Sequence, residues 1–134
     1  MAKATDDPRI KRLLTALQSV DAEHLRELCH PDFTVEEAES LPYAGIYKGF
    51  EGLCQVAEQM YKSWAECKIT TLSVIGEPSG DDFVLLQRMH GLTLRNRRPF
   101  EMTILEMYSF RDGRLIRIKP YYWDTKALID LLRD

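Results

Sequence analysis

The hydrophobic positions of the chain follow a helical period near the N-terminus. Ile10, Leu13 and Leu17 recur at the three- and four-residue spacing of a single apolar helix face. Asp7 and Pro8 precede them as an N-cap residue and a proline at the first helical position, where its missing N–H costs nothing. The pattern predicts a first helix that begins at Pro8.

The same period predicts further helices. Asp21 can cap a second short helix with Leu25 and Leu28 on its inner face, and Pro31-Asp32 ends it. A third helix is predicted from about Phe50 to Trp64, with these apolar positions on one side: Leu53, Val56, Ala57, Met60, Tyr61 and Trp64.

The other segments alternate with the period of a strand. Phe33, Val35 and Glu37 share one face of a first predicted strand. The later strand-like runs are Lys68–Glu77, Phe83–Leu94, Phe100–Phe110 and Leu115–Trp123, and a helix over Thr125–Leu132 closes the chain. Pro120 predicts a bulge or a sheet edge in the last strand, because proline donates no ladder hydrogen bond. Leu41–Gly49 is predicted as an apolar loop folded over the interior.

This order of elements predicts one α+β domain over residues 1–134, with helices on one face of a curved antiparallel sheet. Phe100–Phe110 is apolar on both faces, since Leu105 and Met107 lie opposite Ile104 and Tyr108. A sheet with one wet face alternates more cleanly. The outer face is therefore predicted to be covered by a second copy of the chain, in a homodimer.

Composition narrows the function classes. The net charge of −3 and the pI of about 5.6 argue against nucleic acid or an anionic membrane as the main partner. The first seven residues lack the apolar stretch of a signal peptide, and no apolar run reaches the length of a membrane span. Cys29, Cys54 and Cys67 are odd in number and unclustered, which predicts free, buried thiols in a reducing cytoplasm.

Strand parity also gives candidates for chemistry. Glu37 and Glu106 fall on faces taken as inward, and an inward carboxyl group needs a partner or a raised pKa. Arg88 and His90 share the face of Val84 and Leu86, which is taken as the inward face, and Asp124 ends the last strand. The predicted pocket wall comprises Phe33, Val35, Tyr43, Tyr47, Met60, Trp64, Tyr108, Tyr121 and Trp123. No metal or cofactor is expected, because the histidines lie on separate elements and no phosphate-binding glycine loop occurs.

Several strings, in this order, resemble the nuclear transport factor 2-like superfamily, and within it the SnoaL-like proteins. They are Leu17–Leu28, His30-Pro31-Asp32-Phe33, Leu41–Gly52, Phe110–Leu115 and Tyr122-Trp123-Asp124. The resemblance implies a cone-shaped α+β barrel, usually dimeric, around a deep apolar pocket. The superfamily includes isomerases, dehydratases, polyketide cyclases, epoxide hydrolases and plain binding proteins, so the fold alone does not settle the function.

The resemblance also implies roles. The aspartate base of ketosteroid isomerases falls at Glu37, and the protonated aspartate of their oxyanion hole falls at Glu106. Their oxyanion-hole tyrosine falls at Leu13, and a lost donor of this kind is worth about 2.7–4 kcal/mol in the transition state. The Arg-x-Asp pair of limonene epoxide hydrolase-like members falls at Arg88 and His90. Their second aspartate falls at Asp124.

Structural roles remain open for the same residues. Arg88 and Glu106 could form a buried ion pair, and His90 could be a structural hydrogen-bond donor. Asp124 could be only the N-cap of the last helix. A register shift of one residue would turn Glu37 to solvent.

Together these patterns predict a cytoplasmic, cofactor-free acid–base enzyme of the isomerase, dehydratase, cyclase or epoxide hydrolase type. Its substrate would be apolar and cyclic, and Arg88 and Tyr43 would orient the reacting groups. The alternatives are a carrier that binds an apolar ligand without converting it and a protein-interaction module that uses the sheet face.

Overall fold

The computed structural model describes residues 3–19 and 21–133, without the side chains of residues 18 and 19. After a short 3-10 turn at Ala4–Asp6, the described chain forms these helices: α1 (Pro8–Ser19), α2 (Ala22–Leu28), α3 (Gly49–Tyr61) and α4 (Thr125–Arg133). The caps follow the sequence pattern. Asp7 Oδ1 accepts the backbone N–H of Arg9 at 2.9 Å, and Asp21 Oδ1 accepts that of His24 at 3.1 Å.

The strands are β1 (Cys29–Glu37), β2 (Gly45–Lys48), β3 (Trp64–Ile75), β4 (Asp82–Thr93), β5 (Pro99–Arg111) and β6 (Arg114–Tyr122). They form one sheet in the order β2-β1-β6-β5-β4-β3. The pairs are antiparallel except for β1 and β6, which run parallel. The sheet is curved and unclosed, so the predicted α+β fold is confirmed.

The concave face of the sheet carries the core. Phe33, Phe83 and Phe110 are at most 4% exposed and pack with Ile10 and Leu13 of α1. A second buried cluster joins the central strands to α4 and contains Leu41, Tyr43, Trp64, Met89, Ile104 and Leu128. The two clusters leave room on the concave face, between the sheet and helices α1 and α3, for a cavity.

Four local expectations differ from the structure. The segment predicted as a loop contains β2, which pairs with β1 from Glu37–Gly45 to Thr34–Lys48. The strand predicted from Phe33 begins at Cys29, and Trp64 opens β3 instead of ending the third helix. The register irregularity between β5 and β6 lies at Ser109/Phe110 and not at Pro120. Pro120 nevertheless lies at a local sheet edge, because the β1–β6 pairing stops at Val35–Ile118.

The thiols only partly follow the prediction. All three cysteines are free, and Cys29 is buried, but Cys54 and Cys67 are exposed residues. Burial of all three was therefore wrong. Within residues 3–19 and 21–133, no helix is long and apolar enough to cross a membrane.

Candidate active site

A cavity of about 600 Å³ lies on the concave side of the sheet, beneath α1 and α3. Most of its wall is aliphatic, and Leu14 and Leu17 from α1 face Val35 and Ile118 from the sheet across it. Its remaining lining residues are Glu37, Leu53, Val56, Ala57, Met60, Cys67, Lys68, Ile69, Thr70, Thr71, Gln87, Glu106 and Tyr108. A largely apolar hollow with a few convergent polar groups is the usual form of a small-molecule site.

A surface depression of similar volume, about 590 Å³, lies at the other end of the sheet. Asp81, Asp82 and Asp112 line it and are exposed to solvent. Arg9 Nη1 binds Asp81 Oδ1 at 3.1 Å and the Ser109 hydroxyl donates to Asp82 Oδ1 at 2.6 Å, so two of these carboxylates already have structural partners.

Glu37 enters the cavity from the end of β1. Alternation along this strand buries Phe33, Val35 and Glu37 together, and Glu37 is 7% exposed. Burial raises the pKa of the Glu37 carboxyl to about 7, although the Tyr122 hydroxyl donates a 2.9 Å hydrogen bond to its Oε2 and opposes the shift. Glu37 can therefore gain and lose a proton near neutral pH.

Glu106 enters from the middle of β5, between Leu85 and Pro120 on the neighbouring strands. It is 9% exposed. Burial, and after it the negative charge of Glu37, raises the pKa of its carboxyl to about 7, while contacts with Tyr108 and the Gln87 amide oppose this shift. The Tyr108 hydroxyl lies 3.3 Å from Glu106 Oε1 and donates to it.

The two carboxyl groups act on each other in this cavity. Within the described part of the chain, neither Glu37 nor Glu106 forms an ion pair. Two acids that share an apolar site do not both ionise easily, so near neutral pH the pair holds one proton between them. The Tyr122 hydrogen bond favours ionised Glu37, and the negative charge of ionised Glu37 favours the protonated form of Glu106.

Buried polar groups that the sequence pattern did not identify surround the pair. Gln87 is 2% exposed, and its Nε2 donates to Thr71 Oγ1 at 3.3 Å. Its Oε1 is buried and has no hydrogen-bond partner among the residues that the structure describes. Alternation of β4 places Gln87 on the inward face once Phe83 and Leu85 are known to point inward, which the local sequence does not decide. Tyr122 follows in the same way from Ile118 on β6.

Arg88 and His90 lie on the opposite face of the sheet, so their predicted inward placement is wrong. Phe83, Leu85, Gln87 and Met89 are the buried row of β4. Arg88 Nε binds Glu101 Oε1 at 2.8 Å on the outer face, which also excludes the proposed Arg88–Glu106 ion pair.

Asp124 is exposed and lies outside the cavity. Its Oδ1 accepts the backbone N–H of Ala127 at 3.0 Å, so it caps α4, as the structural alternative stated. Asp124, Arg88 and His90 are thus not brought together with Glu37 and Glu106.

The predicted pocket wall divides into three groups. Val35, Met60 and Tyr108 line the cavity. Phe33, Tyr43, Tyr47 and Trp64 lie in or against the core, not on the cavity surface. Tyr121 and Trp123 are 49% and 84% exposed, so their placement in the wall was wrong.

Tyr43 and Tyr47 nevertheless contribute to the surroundings of Glu37. The Tyr47 hydroxyl donates to the Tyr43 carbonyl at 2.9 Å. The Tyr43 hydroxyl and Trp64 Nε1 are buried without a hydrogen bond of normal geometry within the described chain, although Tyr43 interacts with the polar atoms of Tyr122 and Trp64. The Glu37 side of the cavity is therefore a compact group of hydroxyls around one carboxyl.

Comparisons with known proteins agree with this fold. The model of the SnoaL-like domain family matches residues 10–118. No curated protein matches the chain. Among solved structures, a nuclear transport factor 2-like protein of unknown function from Burkholderia pseudomallei is 18% identical over all of both chains, with a TM-score of 0.83.

Two other structures with this fold are similar. TerC, co-crystallised with polyporic acid, is 19% identical with a TM-score of 0.80, covering 95% of this chain and 99% of its own. A putative SnoaL-like polyketide cyclase from Jannaschia sp. is 14% identical with a TM-score of 0.75, covering 92% of this chain and 90% of its own. The family model spans most of the chain, including both cavity carboxyl groups, and the chain therefore belongs to the SnoaL-like domain family.

Proposed function

We propose that the protein is a cofactor-free acid–base enzyme that acts on a neutral, apolar, cyclic carbonyl compound. The observation that carries this proposal is the pair Glu37 and Glu106, two carboxyl groups of near-neutral pKa in one apolar cavity. A general base is most effective when its pKa lies near the working pH. Two similar groups in different local environments can divide the roles of base and acid.

In the proposed mechanism, ionised Glu37 removes a proton from the carbon next to the substrate carbonyl. Protonated Glu106 donates a hydrogen bond to the oxygen on which negative charge develops. Tyr108 donates to the other oxygen of Glu106 and so fixes the orientation of that carboxyl group. Return of the proton from Glu37 to a different carbon of the conjugated enolate completes an isomerisation. In a cyclisation, the enolate carbon attacks a second carbonyl group, and the alkoxide that forms there takes the proton from Glu37.

The other reaction classes have less support. Epoxide hydrolysis would need Arg88, His90 and Asp124 at the substrate, and these residues lie outside the cavity. TerC was co-crystallised with polyporic acid, which is a cyclic compound, and the Jannaschia protein is named as a putative polyketide cyclase, a class of enzyme that forms rings. They favour a cyclic ligand for this cavity as well. The cytoplasmic location expected from the cysteines stays a prediction.

Deuterium exchange tests the proposal without knowledge of the product. The wild-type protein is expected to catalyse exchange of the α-protons of neutral bicyclic ketones in D2O, followed by proton NMR. The rate should be bell-shaped in pH with a maximum near about 7, because Glu37 must be ionised while Glu106 keeps its proton. Glu37→Gln should lower the rate by about 100- to 10,000-fold.

Glu36→Gln is the matched control, because Glu36 is the next residue on β1, lies on the other face and binds Lys119 at 3.3 Å. It should leave the exchange rate unchanged. Saturable ketone binding without exchange would overturn the enzyme and favour a carrier. Equal losses in both variants would refute the assignment of Glu37 as the base.

We further propose that two copies of the chain associate through the outer face of the sheet. Val84, Leu86, Leu105 and Met107 make an apolar strip there, and Leu105 is 41% exposed. Charges of both signs border the strip, which suits the self-complementary contact of a two-fold dimer. A protein-interaction module would use the same face for a different chain.

Light scattering coupled to gel filtration tests the dimer. The wild-type protein should elute with twice the mass of one chain at micromolar concentration, and Leu105→Lys should raise the dissociation constant by at least about tenfold. Leu94→Lys, at the exposed β4–β5 turn, is the control and should remain dimeric. A monomeric wild-type protein would refute this proposal.

A further inference from the structure

The cavity holds more hydrogen-bond acceptors than it has donors to satisfy them. Glu37 and Glu106 contribute two carboxyl groups, and the buried Oε1 of Gln87 is an acceptor without a partner within the described chain. Among the cavity-lining residues that the structure describes, Lys68 is the one cation. It is exposed, and the alternation of β3 places it opposite His90 in the outward row. The interior therefore has an excess of negative charge and of lone pairs.

The neighbours of each carboxyl group do not remove this excess. Tyr122, Tyr43 and Tyr47 face Glu37, and each is neutral at physiological pH. Tyr108, Gln87 and Cys67 face Glu106. Cys67 is exposed as a whole residue but lines the cavity, where desolvation raises the pKa of its thiol to about 11, so it too is neutral. The negative charge of Glu37 also raises the pKa of the Glu106 carboxyl. A positive charge placed between them would stabilise both ionised forms, which the protein by itself does not do.

The walls limit the rest of such a ligand to hydrocarbon. Leu14 and Leu17 of α1 and Leu53, Val56 and Met60 of α3 cover one side of the cavity. They offer no polar group to a second charge. A volume of about 600 Å³ accommodates a compact ring system.

We propose that this cavity is also a binding site for apolar ammonium ions, in which one protonated nitrogen is carried by a compact hydrocarbon body. The nitrogen lies between Glu37 and Glu106 and donates to them and to Gln87 Oε1, while the hydrocarbon packs against α1 and α3. This inference requires the cavity but not the proposed reaction. If both hold, such amines compete with the neutral substrate.

Three adamantane derivatives with the same hydrocarbon body test the proposal by isothermal titration calorimetry. They are 1-adamantylamine, 1-adamantanol and 1-adamantanecarboxylate. At about pH 8 the ammonium ion should bind at least about tenfold more tightly than the alcohol, and the carboxylate should bind most weakly. The affinity of the ammonium ion should fall at least about tenfold between about pH 8 and pH 5.5, because both carboxyl groups then take up protons. At about pH 7 its binding should release protons, seen as a heat that depends on the buffer.

Glu37→Gln and Glu106→Gln should each reduce the preference for the ammonium ion over the alcohol, and Glu36→Gln should not. Equal binding of the ammonium ion and the alcohol at about pH 8 would overturn the proposal, as would the absence of binding of all three compounds at millimolar concentration. The pH dependence of ammonium-ion binding to the wild-type protein tests the proposal even if a variant fails to fold. Because none of these readouts involves turnover, their failure is distinguishable from a failure of the deuterium exchange.

Discussion

Glu106→Gln is expected to raise the free energy of unfolding at about pH 8 by roughly 3 kcal/mol. The pKa of the Glu106 carboxyl rises from 4.5 to about 7 on folding, chiefly because the group is buried. Each unit of such a difference is worth about 1.4 kcal/mol. Glutamine keeps the shape of the side chain and the hydrogen bond from Tyr108 but never becomes charged, so it avoids the cost of a buried anion.

The sign of this effect depends on pH. Below about pH 4.5 the carboxyl group is protonated in both the folded and the unfolded state, so the variant and the wild-type protein should be equally stable. As pH rises from about 4.5 to about 7, the unfolded state loses its proton first and the wild-type protein loses stability. Above this range the difference between the two proteins is constant.

Urea unfolding at about pH 4.5, 6 and 8 measures this difference. Glu101→Gln is the control, since Glu101 lies on the same strand but its side chain is 61% exposed and binds Arg88. It should change stability by less than about 0.5 kcal/mol, with little pH dependence. A loss of stability in Glu106→Gln at about pH 8, or a gain that is the same at every pH, would contradict the assigned environment.

The effect of Glu106→Gln on stability should depend on Glu37. Its charge raises the pKa of the Glu106 carboxyl, so the gains of Glu37→Gln and Glu106→Gln should not add in the double variant. Two buried acids of this kind lower the free energy of unfolding at neutral pH, where both carboxyl groups titrate. Sites of this kind are commonly retained for binding or catalysis and not for folding.

Sequence periodicity was sufficient for the helices and for the four-strand meander, because each has a long repeat of apolar positions. Periodicity was not sufficient to decide which face of β4 points to the interior. Phe83 and Leu85 form one apolar row of this strand, and Val84 and Leu86 form the other. The choice between Gln87 and Arg88 as the inward residue therefore depends on the neighbouring strands, which the local sequence does not specify.

Long-range pairing accounts for the other differences. β2 has four residues and is defined by its register with β1, not by a repeat of its own. The aromatic residues after Pro120 alternate as β6 does, so Tyr122 faces inward while Tyr121 faces out. Glu37 and Glu106 were identified because each lies among apolar residues on an otherwise regular strand.

Arg9→Met is expected to lower the free energy of unfolding by about 3 kcal/mol at neutral pH. Asp7 is 4% exposed, and Arg9 binds it through Nη2 at 2.8 Å and through Nε at 3.1 Å. The guanidinium also lies 4.8 Å from the centre of the Phe110 ring and binds the carbonyl oxygen of Gly80 in the β3–β4 turn. Methionine keeps the hydrocarbon stem but leaves the Asp7 carboxylate buried without its cation, which is a costly arrangement.

The pH dependence of this loss should run opposite to that of Glu106→Gln. The Arg9 side chain lowers the pKa of the Asp7 carboxyl, so its contribution is present above about pH 3.8 and disappears as pH falls through the folded-state pKa. The loss in Arg9→Met should therefore shrink in acid, where Asp7 is protonated. Urea unfolding at about pH 3 and 7 measures this loss, with Arg12→Met on the exposed side of α1 as the control.

The double variant Asp7→Asn with Arg9→Met should lose less stability than Arg9→Met alone, because no charge is then left buried. If the double variant were the less stable of the two, the Asp7 carboxylate would stabilise the fold even without Arg9, as the N-cap of α1, and the cost assigned to its uncompensated charge would be wrong.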